Sequence, residues 1–418
     1  MSIIVNSTLE QVCLQENRAI ISGPFGSNIS SKYFVDTGIP VIRGNNLSLN
    51  FDKFYDEGFV FVTKEKADEL KCYAYRDDLI FTAAGTIGQV GLIPQNSQYE
   101  EYVISNKQIR ARIDTKKIDL LYAYYWYSSP WIKSLLIRSN KGSTVPLLTL
   151  SEVKDLPIVY PEDIQEQRNI VSIIEAISKK IEFNIQINDN LEQQAKLLYD
   201  YWFTQFDFPD ENGKPYRTSG GKMVWNEQLK RDIPKGWEVK SLAEILQKNT
   251  DVFDYQSTQP AVDLSIMPSN SIAISQLNSS DSFTTNLFAM KKGDILFGSI
   301  RPYLHKAGFA PCDGVVAGTV HSFRVKNNQD NNFALMTVSR DNFFNYAVNV
   351  SSGTKMPVVS SDSILDYKVP YNNKIARRYN EIPLIAIISS HIQENQKLIS
   401  LRDWLLPMLM NGQATISN

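Results

Sequence analysis

Apolar residues recur at alternating spacings of three and four from Ile174 through Ile177, Ile181, Leu191, Ala195 and Leu198 to Trp202. This is the seam of a helix that packs against another helix, with Asn184 and Asn188 interrupting it midway. Asp163, with Glu166 three residues on and Pro161 just before, predicts the start as a capping box. A second run is predicted from Pro383, which suits a first helical turn. It passes through Leu384, Ile388, Asn395, Leu398 and Leu405, and Pro407 is expected to kink or end it. Asn188 and Asn395 hold equivalent seam positions, where a buried amide specifies register at some cost in stability. One such pattern would suit a surface helix on a globule. Two copies, each following a globular segment, point to an intramolecular coiled coil. At about 1.5 Å per residue, roughly 40 residues reach ~60 Å, the length of a spacer.

The helices belong to a longer repeat. Gly142 and Pro146 return as Gly353 and Pro357. Ile181, Ile185, Asn188, Leu191 and Leu198 return as Ile388, Ile392, Asn395, Leu398 and Leu405. The period is that of a domain pair, too long for a solenoid. The globular segments share a turn feeding a buried strand, Arg76-Asp77-Asp78-Leu79-Ile80-Phe81 in one and Lys292-Gly293-Asp294-Ile295-Leu296-Phe297 in the other. Beyond the strand they diverge, Thr82-Ala83-Ala84-Gly85-Thr86-Ile87-Gly88 against Gly298-Ser299-Ile300-Arg301-Pro302-Tyr303-Leu304. Two recognition modules for different targets would look like this, and so would duplication followed by neutral drift.

Composition narrows the class. The chain has 418 residues, 43% hydrophobic and 21% charged, enough for two or three domains with their own cores. Cys13, Cys72 and Cys312 are scattered singly, which argues against a disulfide framework or zinc site and fits a reducing cytosol. The N-terminal residues carry no signal-peptide pattern, and no apolar run approaches the ~20 residues of a membrane span. A formal net charge of −2 gives no global hint of nucleic acid, so any DNA-binding face must concentrate its basic residues locally.

At the level of motifs the chain resembles the DNA-specificity subunit of type I restriction-modification systems. The residues that carry the resemblance begin with Gly23-Pro24-Phe25-Gly26-Ser27 and Gly38-Ile39-Pro40-Val41-Ile42-Arg43-Gly44-Asn45-Asn46-Leu47. Ser105-Asn106-Lys107 and Gly142-Ser143-Thr144-Val145-Pro146 come next. Gly213-Lys214-Pro215-Tyr216, Gly220-Gly221-Lys222-Met223-Val224 and Ile233-Pro234-Lys235-Gly236-Trp237-Glu238-Val239 resemble the stretch that introduces a second recognition domain. Gly293-Asp294-Ile295-Leu296-Phe297 and Arg301-Pro302-Tyr303 resemble its core motif. Two departures stand out. The first globule lacks the Pro-x-Gly-Trp lead-in, and the second repeat lacks the Glu166-Gln167 pair.

The resemblance implies an α+β fold with two target-recognition domains separated by a pair of long antiparallel coiled-coil helices, a pseudo-twofold internal repeat. Residues 1–150 would form the first recognition domain and 151–205 the first spacer helix. Residues 206–372 would form the linker and second recognition domain, and 373–418 the second spacer helix. Each domain would read one half of a bipartite, asymmetric site on double-stranded DNA, with the helices setting the unread spacer. By the same resemblance two methyltransferase subunits dock on the chain and methylate adenine, and restriction endonuclease subunits join them. S-adenosylmethionine, ATP and Mg then belong to those partners, with no cofactor or metal in this chain and a cytoplasmic location.

Base edges are read by donors and acceptors, and phosphates by Lys and Arg. The expected base-edge readers are Arg43, Asn45, Asn46 and Gln108 in the first domain and Ser299, Arg301, Tyr303 and His321 in the second. Lys107, Arg110, Lys141, Lys306 and Lys355 are the expected phosphate contacts. Each could equally be an ordinary loop residue, Asn45 and Asn46 turn formers, and Arg301-Pro302-Tyr303 a structural corner around a buried Tyr. Asp189, Glu192, Gln193 and Lys196 are a candidate docking face on the first helix, or simply a solvated one.

Motifs for chemistry are missing. The sequence has no Asn-Pro-Pro-aromatic string for adenine methylation and no phosphate-binding Gly-x-x-x-x-Gly-Lys-Ser/Thr loop. His305, His321 and His391 show no metal-ligand spacing. Pro209-Asp210-Glu211 with Lys214 has the wrong spacing for a nuclease and reads as a polar linker. The chain is therefore expected to be a non-catalytic binding subunit. The rivals are a fragment of a single-chain restriction-methylation enzyme and an adaptor whose two globules bind protein or glycan.

Overall fold

The computed structural model describes residues 3–139, 147–253 and 257–410. By contact the chain divides into two compact units, residues 1–180 with 398–418 and residues 181–397. The helices were expected as bodies of their own, whereas each unit takes in part of both.

In the first unit a run of apolar residues, Leu79-Ile80-Phe81, forms the middle of strand Asp78–Thr82. Such a run lacks alternation because both its faces are buried. Leu79 and Phe81 enter one core, with Tyr122, Trp126 and Ile174. Ile80 enters another, with Val41, Tyr102 and Ile104. The strand is paired on both sides in an antiparallel sheet ordered Ile20–Ser22, Gln108–Arg112, Asp78–Thr82, Val90–Leu92. A second sheet runs Val60–Val62, Ile39–Ile42, Tyr102–Ile104, Tyr73–Ala74, its central pair parallel.

The second unit repeats this strand for strand. Leu246–Lys248, Val320–Val325, Ile295–Gly298 and Ala307–Phe309 form the antiparallel sheet. Asn278–Ser279, Pro260–Val262, Gly314–Ala317 and Leu287–Met290 form the other, again with its central pair parallel. Ile295 and Phe297 face one core and Leu296 another. Each unit also closes on an antiparallel two-stranded clamp, Ile4–Thr8 with Pro157–Pro161 and Glu238–Ser241 with Lys368–Tyr371. A capping box succeeds the opening strand in both, Thr8 with Gln11 and Ser241 with Glu244. Among the described residues only the second unit has the added hairpin Met223–Asn226 and Arg231–Pro234, formed by the lead-in that the first globule lacks.

The first long helix spans Ile164–Tyr199 and passes into a π-helical turn at Asp200–Thr204. Asp163 starts it as expected, its Oδ1 accepting from Gln165 N at 2.9 Å. The second spans Leu384–Met410, with the carbonyl of Pro383 accepting from Ile387 N at 3.0 Å. Pro407 lies inside this helix and does not end it.

Within the second unit the two helices run antiparallel, since Asn184 pairs with Asn395 and Asn188 with His391. Asn184 Nδ2 donates to Asn395 Oδ1 at 2.8 Å and to Glu394 Oε2 at 2.7 Å. Asn188 Oδ1 lies 2.7 Å from His391 Nδ1. Within the first unit, Leu406, Leu409 and Met410 share a core with Ile170, Val171 and Ile174. The seam of the second helix is shifted from its expected positions. Leu406 is fully buried while Leu405 is half-buried, and Arg402 is buried with its guanidinium 4.3 Å from the Phe51 ring. Ile185, the repeat counterpart of buried Ile392, is 48% exposed.

The amide layer gives a thermodynamic test. Replacing Asn184 by Leu removes the donor to the buried Asn395 Oδ1, at an expected cost of about 1–3 kcal/mol. Asn184→Leu with Asn395→Leu should recover at least half of that loss, because two apolar groups then meet. A double-mutant cycle by urea unfolding measures the coupling, and additive losses would refute it.

Candidate nucleic-acid interface

The strand Asp78–Thr82 delivers Thr82 to the edge of a concavity of about 450 Å³. Three loops close around it. Arg43, Gly44 and Asn45 come after the strand Ile39–Ile42, residues 84–89 come after Thr82, and Ser105, Asn106 and Lys107 precede the strand that starts at Gln108. Ile29, Phe34 and Val41 supply apolar wall. The loop at 23–26 is pressed against residues 105–106, and Gly23 is required there. A Cβ on it would lie 1.8 Å from Ser105 O.

Four of the expected first-domain residues meet in this concavity: Arg43, Asn45, Lys107 and Gln108. Asn45 and Lys107 are exposed. Arg43 Nη2 and Asn45 Nδ2 both donate to Gly58 O, at 3.1 and 3.3 Å. Gln108 is only 1% exposed, and its Oε1 accepts from Ser105 Oγ. It can read only a group that enters the cavity.

Two expectations in this unit fail. Asn46 is wholly buried and is a loop brace. Its Oδ1 accepts from Arg43 N at 3.0 Å, and its Nδ2 donates to Tyr55 O at 3.0 Å and Glu57 O at 2.9 Å. Arg110 is buried too, donating to Arg18 O and lying 3.7 Å from Asp78. Its cation is spent inside the sheet and cannot meet a phosphate. Asp78 also accepts from Arg112 Nε at 3.1 Å. Burial nonetheless pushes its carboxyl up to about 6 against the pull of these two arginines. Lys141 and the string Gly142-Ser143-Thr144-Val145-Pro146 lie outside the described residues.

In the second unit the counterpart of residues 82–89 is a tight turn. Arg301 and His305 both take left-handed backbone, φ 53° and 52°, around the short helix Pro302–Leu304. Arg301 N donates to Pro357 O at 2.7 Å, and Ile300 bridges Val358, so the Gly353 to Pro357 loop lies alongside. Arg301, Tyr303 and Lys355 are exposed, Tyr303 at 51%, which removes the alternative of a buried Tyr corner. The expected readers Ser299 and His321 and the expected phosphate contact Lys306 are committed inside the fold. Ser299 is buried with its Oγ donating to Thr319 O at 2.8 Å. His321 Nε2 lies 2.9 Å from Val359 O, and burial lowers the pKa of its imidazole. Lys306 Nζ donates to Leu264 O at 2.8 Å.

The docking face drawn from the helix sequence is also corrected. Glu192 is buried and accepts from Ser271 Oγ at 2.8 Å and Ile272 N at 3.1 Å, and Lys196 Nζ donates to Asn270 O at 2.9 Å. Both tie the helix to its own unit, while Asp189 and Gln193 remain exposed.

Sequence reasoning overlooked Phe34, Thr82, Thr86, Gln89 and Asn106 as lining residues. The divergence after Phe81 and Phe297 marks Thr82 and Thr86. Gln89 braces the floor, its Nε2 donating to Gly44 O at 3.0 Å and Leu47 O at 2.9 Å while its Oε1 accepts from Thr82 Oγ1 at 3.0 Å. Among the described residues no group of His, Cys, Asp or Glu is placed to hold a metal ion. No described helix is long and apolar enough to cross a membrane.

Comparison with known proteins agrees with the resemblance drawn from the motifs. Residues 5–193 match the family described as "Type I restriction modification DNA specificity domain". The MjaIX type I specificity subunit of Methanocaldococcus jannaschii is 28% identical over 211 residues, covering 50% of this chain and 45% of that protein. The EcoDI specificity subunit of Escherichia coli is 23% identical over 279 residues, 62% of each chain. In these matches the chain spans about half to three-fifths of its relatives' length. The crystal structure of a type I restriction-modification S subunit from M. genitalium shares the fold, with a TM-score of 0.52 at 13% identity over 100% of this chain and 97% of that one.

The roles assigned to the loop residues separate in experiment. Asn46→Ala should destabilise the protein by about 2–4 kcal/mol, since it strands an N–H and two carbonyls. Urea unfolding measures this, and a stability within error of the parent would refute the brace.

Proposed function

Taking residues 5–193 as a type I restriction-modification DNA specificity domain, we propose that the chain is the DNA-reading subunit of such a system. Each unit reads one half of a bipartite asymmetric site, and the long helices set the unread spacer and dock methyltransferase subunits. The observation that carries this reading is the strand-for-strand recurrence of the two units with different loops at the end of the same buried strand. A constant scaffold with a variable tip is what two readers of different half-sites require.

Half-buried Arg43 with exposed Asn45 and Lys107 in the first unit, and exposed Arg301, Tyr303 and Lys355 in the second, are the groups positioned for the work. Arg suits guanine and Asn suits adenine by bidentate geometry, while the lysines neutralise phosphates. The chain itself is non-catalytic in this reading. Its methyltransferase partners bring S-adenosylmethionine and methylate adenine, endonuclease partners bring ATP and Mg, and the complex is cytoplasmic. The alternative, an adaptor for protein ligands, has no observation in its favour.

Exchange of residues 1–145 for the matching segment of a relative tests modular reading. With the methyltransferase partner present, methylation sequencing should show one half-site replaced and the other kept. A change in both halves, or no sequence-specific methylation by the parental complex, would sink the reading. Lys107→Ala should weaken binding evenly across sequences and lower the salt slope by about 1, whereas Arg301→Ala should relax one position of the second half-site by about 1–3 kcal/mol. Gel shifts over a salt series distinguish the two patterns.

A further inference from the structure

We propose that the concavity of the first unit receives a single nucleobase swung out of the bound duplex, and that Gln108 reads a carbonyl on its edge. This rests on the DNA-reading function above and extends it.

A side chain that reads stacked DNA must project into a groove about 12 Å wide. Gln108 does the reverse. It lies on the floor of a cavity of about 450 Å³ and is 1% exposed. No base edge in a stacked helix can reach it, but a base rotated out of the stack can. The volume falls in the range of about 300–1,000 Å³ found for small-ligand pockets.

The walls and floor divide as a base requires. Half-buried Phe34 offers apolar surface for the face of a ring, backed by Ile29 and by fully buried Val41. Gln108 offers a polar group at the floor, and Arg43 Nε, on another lining residue, is buried without a hydrogen-bond partner. Ser105 Oγ accepts from Lys107 N at 3.4 Å and gives its hydrogen to Gln108 Oε1, which fixes the amide. Gln108 Nε2 then has no hydrogen-bond partner among the described residues. Gln89 cannot serve, since both ends of its amide are committed to Thr82, Gly44 and Leu47. That N–H keeps its hydrogen-bonding capacity unused at the cavity floor, and a nucleobase carbonyl can accept from it. The free capacity is a donor, so the matching bases are guanine and thymine, whose O6 and O4 lie on the edge away from the sugar; the O2 of cytosine adjoins the glycosidic bond, and adenine has no carbonyl. Exposed Lys107 stands at the mouth, where the displaced phosphate would lie.

The test uses the full chain with its methyltransferase partner on duplexes carrying the recognised site. Thymines are probed for unstacking with permanganate, and guanines with a fluorescent guanine analogue placed at each position in turn. One first-half-site position should gain several-fold in reactivity or fluorescence on binding. Gln108→Glu turns the free donor into an acceptor, and should abolish that gain together with discrimination at that base pair. Recognition of the other first-half positions and of the second half-site should persist in the same variant, which shows that the first unit is folded. A mismatch at that pair should tighten binding by the parent, because extrusion then breaks fewer hydrogen bonds. Site-specific binding with every first-half base still stacked would overturn the cavity proposal and leave the DNA-reading function standing. An unstacked base whose signal survives Gln108→Glu would overturn it equally. Loss of all sequence-specific binding by the parent would remove both proposals.

Discussion

A strand buried on both faces has no solvent to satisfy the backbone where it begins, and both units meet that constraint with the same carboxylate. Asp78 accepts from Tyr75 N at 2.8 Å and from Arg112 Nε at 3.1 Å. Asp294 accepts from Lys291 N at 2.9 Å and from two nitrogens of Arg324 at 2.8 Å. The preceding residue is left-handed in each, Asp77 with φ 69° and Gly293 with φ 90°. Turn, carboxylate and cross-strand guanidinium form one device that launches the strand in a fixed direction. The arginine comes from the neighbouring strand, so the device also fixes the register of the pair.

Both the cores and the loops depend on that launch. Once the strand is aimed, its alternate residues partition into two cores, and its far end sets where the variable loop emerges. In the first unit Ala84 bridges Leu147, and in the second Ile300 bridges Val358. The loop after the strand is therefore stitched in both units to the segment that leads toward a long helix. Tips built on such a rigid base can differ in sequence without disturbing either core, as the open first-unit cavity and the tight Arg301 turn illustrate. The clamp strands work at the other end, bringing the start and finish of each globular segment side by side.

Periodicity was the most legible feature. The two helices, their amide interruptions and the doubled buried strand all emerge from spacing, because burial of an apolar stripe or run leaves a direct imprint on sequence. The polar positions were less readable for a physical reason. Asn46, Gln108, Arg110, Ser299 and His321 carry the donors and acceptors that base recognition needs, but the same atoms satisfy backbone inside a fold. Only Gln108 among them lines the cavity while buried, and nothing local in sequence distinguishes it from Asn46. Glu192 misled for a related reason. On a helical wheel it is a solvated charge, and only the long-range approach of residues 271–272 turns it into a buried acceptor. The seam shift near Arg402 reflects a side chain whose partner, Phe51, lies far away in the chain.

The paired amides of the second unit bear on how such a chain can change over generations. Sliding one helix by a heptad would set Asn395 against Ile177 or Leu191, and two amides would lose their partners at about 1–3 kcal/mol each. Intermediate slips would turn the seam away altogether. Variation in helix length is thereby confined to discrete increments made in both strands of the pair at once, so the helices behave less like an elastic tether than like a ratchet with few permitted stops.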